Sequence, residues 1–177
     1  PQVRQFEAGQ SNPTFLIHSG SRSYVLRKKP PGKLLPKAHM VEREYRVMKA
    51  LGGTDVPVPE MLCLCEDDSV IGSPFFVMQY VPGRVFFDLS FPEHTPDERA
   101  EFFTEISGVL AALHSVELDA AGLETFGRRG NYFARQISIW SRQYQAAETD
   151  VIPSMNALMD WLPQHVPTDD ATTLVHG

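Results

Sequence analysis

The sequence predicts an α+β fold, with strands in the first half of the chain and helices in the second. Short runs of alternating apolar and polar residues, separated by turn-forming residues, fill most of the first 80 positions. Beyond Pro82-Gly83 the apolar residues recur at helical spacing instead. We therefore predict a first lobe over residues 1–82 and a helical second part over residues 83–177.

Five strands are expected in the first lobe. Their predicted ranges are residues 3–7, 14–19, 23–28, 60–66 and 74–81. Gly20-Ser21 is a plausible turn between the second and third strands, and Asp67-Asp68-Ser69 is a polar turn between the last two. One helix interrupts this series at about residues 36–51, because its apolar residues are spaced four, three and three apart. Gly52-Gly53 would end it.

Three helices are expected in the second part. The first begins at Thr95-Pro96-Asp97-Glu98, where a capping Thr, a Pro in the first turn and a Glu at the third position form a strong start signal. The second begins near Asn131, and the third follows Ile152-Pro153. We expect the helices over residues 96–163 to expose apolar surface to which further strands and helices would pack.

Charge and composition argue against some classes of binding partner and of protein. Residues 1–81 hold 10 Lys and Arg against 8 Asp and Glu, whereas residues 82–177 hold 6 against 14, a balance that argues against nucleic acid. No apolar run approaches the ~20 residues of a membrane span, and no signal segment opens the chain. Because the chain begins with Pro1, its numbering is expected to start inside a longer protein. Cys63 and Cys65 are interpreted as reduced core cysteines of a cytoplasmic or organelle-matrix protein.

Arg27 and Glu44 are the strongest candidates for a functional pair. Arg27 shares a strand face with Val25, and Glu44 borders the apolar stripe of the following helix. A carboxylate in such a place needs a partner, and a cation from the preceding strand is the economical one. Glu44 would hold the Arg27 cation against an anion such as a nucleotide triphosphate. Alternatively, the two would form a semi-buried salt bridge without a ligand. The other basic residues nearby, Lys29, Lys33 and Lys37, suit the same anion or a solvated loop equally well.

Two further segments are weaker signals on their own. The loop Gly9-Gln10-Ser11-Asn12 lies between two predicted strands, where a glycine allows backbone to approach a phosphate, but an ordinary hairpin loop has the same composition. The strand ending at Gln79 leads through Val81 into Pro82-Gly83. Its backbone groups would suit an adenine ring, and a plain core strand explains it as well.

Five motifs in order resemble the aminoglycoside phosphotransferase family. They are Phe6-Glu7-Ala8-Gly9-Gln10-Ser11-Asn12, Tyr24-Val25-Leu26-Arg27-Lys28-Lys29-Pro30-Pro31-Gly32, Val41-Glu42-Arg43-Glu44, Phe76-Val77-Met78-Gln79-Tyr80-Val81-Pro82-Gly83 and Leu174-Val175-His176-Gly177. The likeness covers essentially the whole chain and is closest to the kinase-like domains found ahead of acyl-CoA dehydrogenase domains. It implies a protein-kinase-like fold that transfers the γ-phosphoryl group of ATP to a small-molecule hydroxyl with the help of Mg2+.

The resemblance also implies roles for individual residues. Arg27 resembles the phosphate-binding cation of the third strand, although the family often has Lys there, so that Lys28 is an alternative. Glu44 resembles its helix partner. The remaining matches are Gln10, Ser11 and Asn12 in the phosphate loop, the backbones of Gln79 and Val81 in the adenine-binding hinge, and His176 at the start of a His-Gly-Asp catalytic motif.

The chain ends one residue before the Asp of that motif, at the end of an expected strand through Leu174-Val175-His176-Gly177. The general base and the metal-binding Asn and Asp would follow, so this chain alone is expected to be inactive. For the whole protein, the branch favours a hydroxyacyl-type substrate over an aminoglycoside. The alternative from another class is a catalytically silent kinase-like binding or regulatory module.

Overall fold

The computed structural model describes residues 1–7, 12–32, 39–168 and 171–176. The chain forms two compact units, one of residues 1–123 with residues 174–176 and one of residues 124–173. Contacts thus divide the chain after Leu123, whereas the lobe boundary at residue 82 stays a prediction.

The first unit is built on a five-stranded antiparallel sheet. The strands are β1 (Gln2–Gln5), β2 (Thr14–Ser19), β3 (Arg22–Lys28), β4 (Met61–Cys65) and β5 (Phe75–Gln79). They lie in the order β1-β2-β3-β5-β4, so that β3 is central and β1 and β4 are the edges. All five predicted strands are confirmed, with ends that differ from the predicted ones by at most two residues.

The register places Arg27 on the core face of the sheet. Leu16 pairs with Val25, and both are buried. Two residues along, Arg27 lies opposite Thr14 on β2 and opposite Phe76 on β5. Because directly paired residues share a face and alternate residues return to it, all five side chains project to one side of the sheet.

Helix α1 (Val41–Leu51) covers part of that face. Its predicted apolar stripe is confirmed, since Val41 and Leu51 are buried and the Tyr45 ring lies 6.1 Å from that of Phe76. The helix begins five residues later than predicted; residues 36–38 lie outside the described part of the chain, and the helix ends at Gly52 as expected.

The polar turn predicted at Asp67-Asp68-Ser69 is wrong in one respect, because it opens a short helix, α2 (Asp68–Ile71). The Asp67 carboxylate accepts a hydrogen bond from the Ser69 N–H at 2.8 Å, which caps the turn and allows it to continue. Gly72, with φ of +82°, ends it in the left-handed conformation that glycine adopts without strain.

Three longer helices follow, as predicted. They are α3 (Pro96–His114), α4 (Tyr132–Ala147) and α5 (Pro153–Trp161), the last continued by a short 3-10 turn over Leu162–Gln164. Helix α3 begins with the expected reciprocal cap between Thr95 and Glu98. None of the described helices is long and apolar enough to cross a bilayer.

The exposed apolar surface predicted for the helices over residues 96–163 is confirmed. The large apolar side chains that α3, α4 and α5 leave exposed include Phe103, Ile106, Phe133, Trp140, Leu158 and Trp161.

Cys63 is exposed and Cys65 is half-buried, and both are free thiols. Their assignment to the core was therefore wrong for Cys63, because β4 is an edge strand with an irregular register between Met61 and Cys63.

Candidate functional site

The predicted pairing of Arg27 with Glu44 is confirmed. Arg27 Nε lies 2.5 Å from Glu44 Oε2, and Arg27 Nη2 lies 3.5 Å from Glu44 Oε1. The side chains remain 26% and 35% exposed, so the pair is accessible to a ligand. Strand β3 and the first turn of α1 supply the two residues, because the core face of the sheet carries Arg27 toward the helix that covers it.

Lys28 is excluded as the partner of Glu44 by strand alternation. Its side chain points to the opposite face of β3, where Nζ donates to the backbone carbonyl of Ile71 at 3.1 Å. The structure therefore settles which cation Glu44 holds: it is Arg27.

Thr14 and Asn12 close the pair into a ring of hydrogen bonds. Arg27 Nη1 donates to Thr14 Oγ1 at 3.0 Å, and that hydroxyl donates to the backbone carbonyl of Asn12 at 3.0 Å. Asn12 Nδ2 in turn donates to Glu44 Oε1 at 2.7 Å. A hydroxyl both donates and accepts, which lets Thr14 join the two sides. The four side chains and one carbonyl fix one another's positions.

His39 extends the ring on the side of α1. Its Nδ1 lies 3.0 Å from Asn12 Oδ1, and its backbone carbonyl accepts a hydrogen bond from the N–H of Val41, the first residue of α1. His39 has φ of +57°, a left-handed conformation that His adopts more often than most residues. Neither His39 nor Thr14 could be assigned this role from sequence, because their positions depend on loop conformation and strand register.

The ring leaves part of the Arg27 guanidinium available. A guanidinium carries five N–H groups in a planar fork. Contacts with Glu44 and Thr14 use three of them among the described residues, one on each nitrogen. Two N–H groups remain, one on each terminal nitrogen. A planar pair of donors on a fixed cation suits the oxygens of a phosphate.

A second ion pair lies next to the first. Lys29 Nζ is 3.0 Å from the carboxylate of Glu42. Of the additional cations considered for an anion, Lys29 is thus held by a carboxylate, while Lys33 and Lys37 lie outside the described residues.

The predicted hinge begins where β5 ends. The Gln79 N–H donates to the Glu60 carbonyl at 2.8 Å, and the Gln79 side-chain oxygen accepts from the Glu60 N–H at 3.3 Å. Gln79 thereby fixes the end of the strand against the segment that precedes β4. Val81 lies beyond the strand, where the chain has no regular secondary structure, and 59% of its surface is exposed.

His176 is placed at the end of α3. Its Nδ1 lies 3.4 Å from His114 Nε2, and the two rings are stacked with centroids 5.6 Å apart. The strand predicted here is wrong for residues 174–176, which have no regular secondary structure. A strand requires a neighbour to pair with, and the described strands pair only with one another.

The structure thus brings Asn12, Arg27 and Glu44 together. Gln79 and His176 take part in other contacts, and Val81 is largely exposed. Gln10, Ser11 and Gly177 lie outside the described residues. Within residues 1–7, 12–32, 39–168 and 171–176, no three His, Cys, Asp or Glu side chains are grouped to hold a metal ion.

The sequence profile described as the phosphotransferase enzyme family matches residues 2–177. The chain belongs to this family. The resemblance deduced from the five motifs is therefore confirmed.

The relatives of this phosphotransferase family member are longer than the chain. Acyl-CoA dehydrogenase family member 10 of Mus musculus is 51% identical over 176 residues, which cover 99% of this chain and 16% of that protein. A crystal structure of a candidate aminoglycoside phosphotransferase from Ralstonia eutropha is 51% identical, with a TM-score of 0.78, and the match covers 96% of this chain and 49% of that one.

A more distant structure has the same fold. The streptomycin–ATP–APH(2")-IIa ternary complex is 16% identical with a TM-score of 0.59, and the match covers 89% of this chain and 50% of that one. Together these structures confirm the predicted α+β fold with the N-terminal lobe of a protein-kinase-like phosphotransferase.

Proposed function

We propose that the full-length protein containing this chain is an ATP-dependent phosphotransferase that moves the γ-phosphoryl group of ATP to a hydroxyl of a small molecule. The observation that carries the proposal is the Arg27 guanidinium, held by Glu44 and Thr14 with two N–H groups to spare. Phosphoryl transfer depends mainly on positioning and on neutralising the charge of the phosphate oxygens, and a fixed cation with spare donors does both.

The other predicted site residues complete a nucleotide site in this proposal. The backbone of the loop containing Gln10, Ser11 and Asn12 would approach the phosphates, and the backbones of Gln79 and Val81 would meet the adenine ring. The N–H of Gln79 is already bonded to Glu60, which leaves its carbonyl as the group for adenine. ATP bound by the same fold in the APH(2")-IIa complex supports this assignment.

The described residues do not fit magnesium. Glu44 is committed to Arg27 and Asn12, and no acidic cluster lies elsewhere in the described chain. Any Mg2+ that accompanies ATP would therefore be held by other parts of the full-length protein, where the Asp expected after His176-Gly177 would also lie. The free thiols Cys63 and Cys65 suit the cytoplasm or an organelle matrix as the compartment.

A hydroxyacyl-type substrate is favoured over an aminoglycoside. The mouse relative at 51% identity is named as an acyl-CoA dehydrogenase family member, so a kinase domain joined to acyl-CoA chemistry is the economical interpretation. The Ralstonia protein of equal identity makes aminoglycosides the second class to test.

The test uses the full-length protein with ATP and a panel of hydroxyacyl-CoAs and aminoglycosides. We expect ATP-dependent phosphorylation of a hydroxyacyl compound. Arg27→Met should lower kcat/KM by about 100-fold, the scale for losing one electrostatic stabiliser of the reacting group. Lys28→Met is the matched control, because Lys28 lies on the other face of β3, and its activity should be close to that of the wild type.

Two results would contradict the proposal. If the wild-type protein phosphorylated neither class while binding ATP, it would be the silent binding or regulatory module. If Arg27→Met and Lys28→Met had equal activity, the guanidinium would not be the phosphate-binding cation.

A further inference from the structure

We infer that Asn12 and His39 are positioning residues that hold Glu44 in register with Arg27, and that the Asn12 side chain is not a phosphate ligand. The inference rests on the proposed function for its effect on ATP, but the contacts that support it belong to the free protein. Asn12 thus belongs to the proposed phosphate loop through its backbone alone.

Asn12 is a buried amide with both ends occupied. Only 3% of the residue is exposed. Its Nδ2 bonds to Glu44 Oε1 at 2.7 Å and its Oδ1 to His39 Nδ1 at 3.0 Å. Buried polar groups need partners, and this side chain has one at each end. The NH2 group carries a second N–H, but because so little of the residue is exposed a phosphate oxygen could reach it only by displacing neighbouring residues.

The direction of each hydrogen bond in this chain follows from chemistry. An ionised Glu44 can only accept, so Asn12 must present its NH2 group to Glu44 and its oxygen to His39. Since Asn12 Oδ1 can only accept as well, His39 Nδ1 must carry a hydrogen. The amide orientation and the imidazole tautomer are therefore both set by Glu44.

Asn12 determines how Glu44 grips Arg27. Glu44 Oε1 has a short bond to Asn12 and a 3.5 Å contact to Arg27 Nη2, whereas Glu44 Oε2 takes the full bond from Arg27 Nε at 2.5 Å. By occupying Oε1, the amide turns the pairing toward the Nε edge of the guanidinium. The two spare N–H groups on the terminal nitrogens are then kept for the ligand.

His39 ties this arrangement to the helix. Its ring bonds to Asn12, and its carbonyl accepts from the Val41 N–H at the start of α1. Glu44 lies in the first turn of the same helix. The loop residue Asn12 and the helix that supplies the carboxylate are therefore fixed by one short chain of bonds.

An exchange of donor and acceptor tests the inference in the full-length protein. Asn12→Asp removes the donor and faces Glu44 with a second carboxylate; we expect kcat/KM for ATP to fall by about 10- to 100-fold, the scale of a lost hydrogen bond to a charged group. In the double variant Asn12→Asp, Glu44→Gln, the Gln amide donates to the new carboxylate. We expect it to recover most of the lost kcat/KM for ATP.

A phosphate-ligand role predicts the opposite for the double variant. An Asp at position 12 would still repel the phosphates, so the double variant would bind ATP no better than the single one. That result would overturn the inference. His39→Phe, which keeps a ring but lacks Nδ1, should raise the KM for ATP about 3- to 10-fold. Its matched control, His18→Phe at an exposed position of β2, should not. Equal KM values in these two variants would also overturn it.

Thermal unfolding of the same variants separates this inference from the proposed function. Asn12→Asp should lower the melting temperature without any nucleotide, and the double variant should restore it in part. If the wild type neither bound nor used ATP, the proposed function would fail while this thermal pattern could still hold. If Asn12→Asp melted at the wild-type temperature, the positioning contacts would be refuted whatever the activity.

Discussion

Phe76 is the largest fully buried side chain among the described residues. It lies on β5 with no exposed surface, pairs with Arg27 of the neighbouring strand β3, and contacts the ring of Tyr45 on α1. The residue paired with Arg27 in the sheet is thus also part of the core. Loss of its volume would leave a cavity that neighbouring side chains fill only in part.

We expect Phe76→Ala to lower the free energy of unfolding by about 3–5 kcal/mol, the range for removing a buried aromatic side chain. The matched control is Phe87→Ala, because Phe87 is 80% exposed and should cost less than about 0.5 kcal/mol. Urea denaturation followed by circular dichroism measures both. Similar losses for the two variants would contradict the burial of Phe76.

At the scale of residues, the sequence was sufficient to predict the pair Arg27 and Glu44. It was not sufficient to predict the side chains that hydrogen-bond to this pair. Arg27 and Glu44 could be matched because strand alternation and helical spacing place each on the face toward the other. Thr14 could not be included, since its position beside Arg27 depends on the register between β2 and β3. The contacts of the Asn12 amide with Glu44 and His39 could not be predicted either, because they depend on how the loop before β2 meets α1.

At the scale of elements, the start of α3 is the clearest example of a local rule. Thr95 Oγ1 accepts from the Glu98 N–H at 3.3 Å, while the Glu98 carboxylate accepts from the Thr95 N–H at 2.8 Å and from its hydroxyl at 3.1 Å. The bond from the Thr95 backbone, followed by that from its side chain, lowers the pKa of Glu98 below its usual value of 4.5. The cap therefore works best when Glu98 is ionised.

The lowered pKa of Glu98 determines the direction in which stability changes with pH. The contribution of Glu98 to stability is fully present above its unfolded pKa and is lost as the pH falls through the lower folded pKa. We expect Glu98→Gln, which keeps an acceptor for the cap but cannot titrate, to flatten the acid side of the stability profile. Melting temperatures between about pH 6 and pH 3 measure this. A steeper profile for the variant would contradict the cap.

The elements predicted well were those whose signals are local. Caps, prolines and the Gly pair after α1 marked the helices, and alternation marked the strands of the sheet. The strand at residues 174–176 was wrong because a strand depends on a distant partner, which no local pattern reveals. The turn at Asp67 was recognised, but not that the turn continues as α2, because four residues carry too little periodicity.

At the scale of the whole molecule, the two units bury their side chains unequally. All fully buried side chains of the described chain belong to residues 1–123. In the second unit, the described residues 124–168 and 171–173 are half-buried or exposed throughout. Helices in proteins owe most of their stability to packing of an apolar face, so α4 and α5 have less to stabilise them than α1.

We expect amide hydrogen exchange to reflect this difference. In the 177-residue chain, amides of α4 and α5 should exchange at least about 10-fold faster than those of β2, β3, β5 and α1, because opening them exposes little buried surface. Exchange followed by mass spectrometry resolves these segments. Equal protection in both units would contradict the burial pattern.

The order of strands before helices could be predicted for the whole molecule because the two periodicities differ so clearly. The division after Leu123 could not, since Glu124 and its neighbours carry no shift in composition, and only contacts define the unit. The chain also spans only 16% of the mouse relative.

The closed circuit formed by Asn12, Glu44, Arg27 and Thr14 has a consequence for natural variation. Opening it at any point releases every member, so a second replacement within it should do far less harm than the same replacement made first. These four positions are therefore expected to covary among homologues. The effects of replacing them should be strongly epistatic.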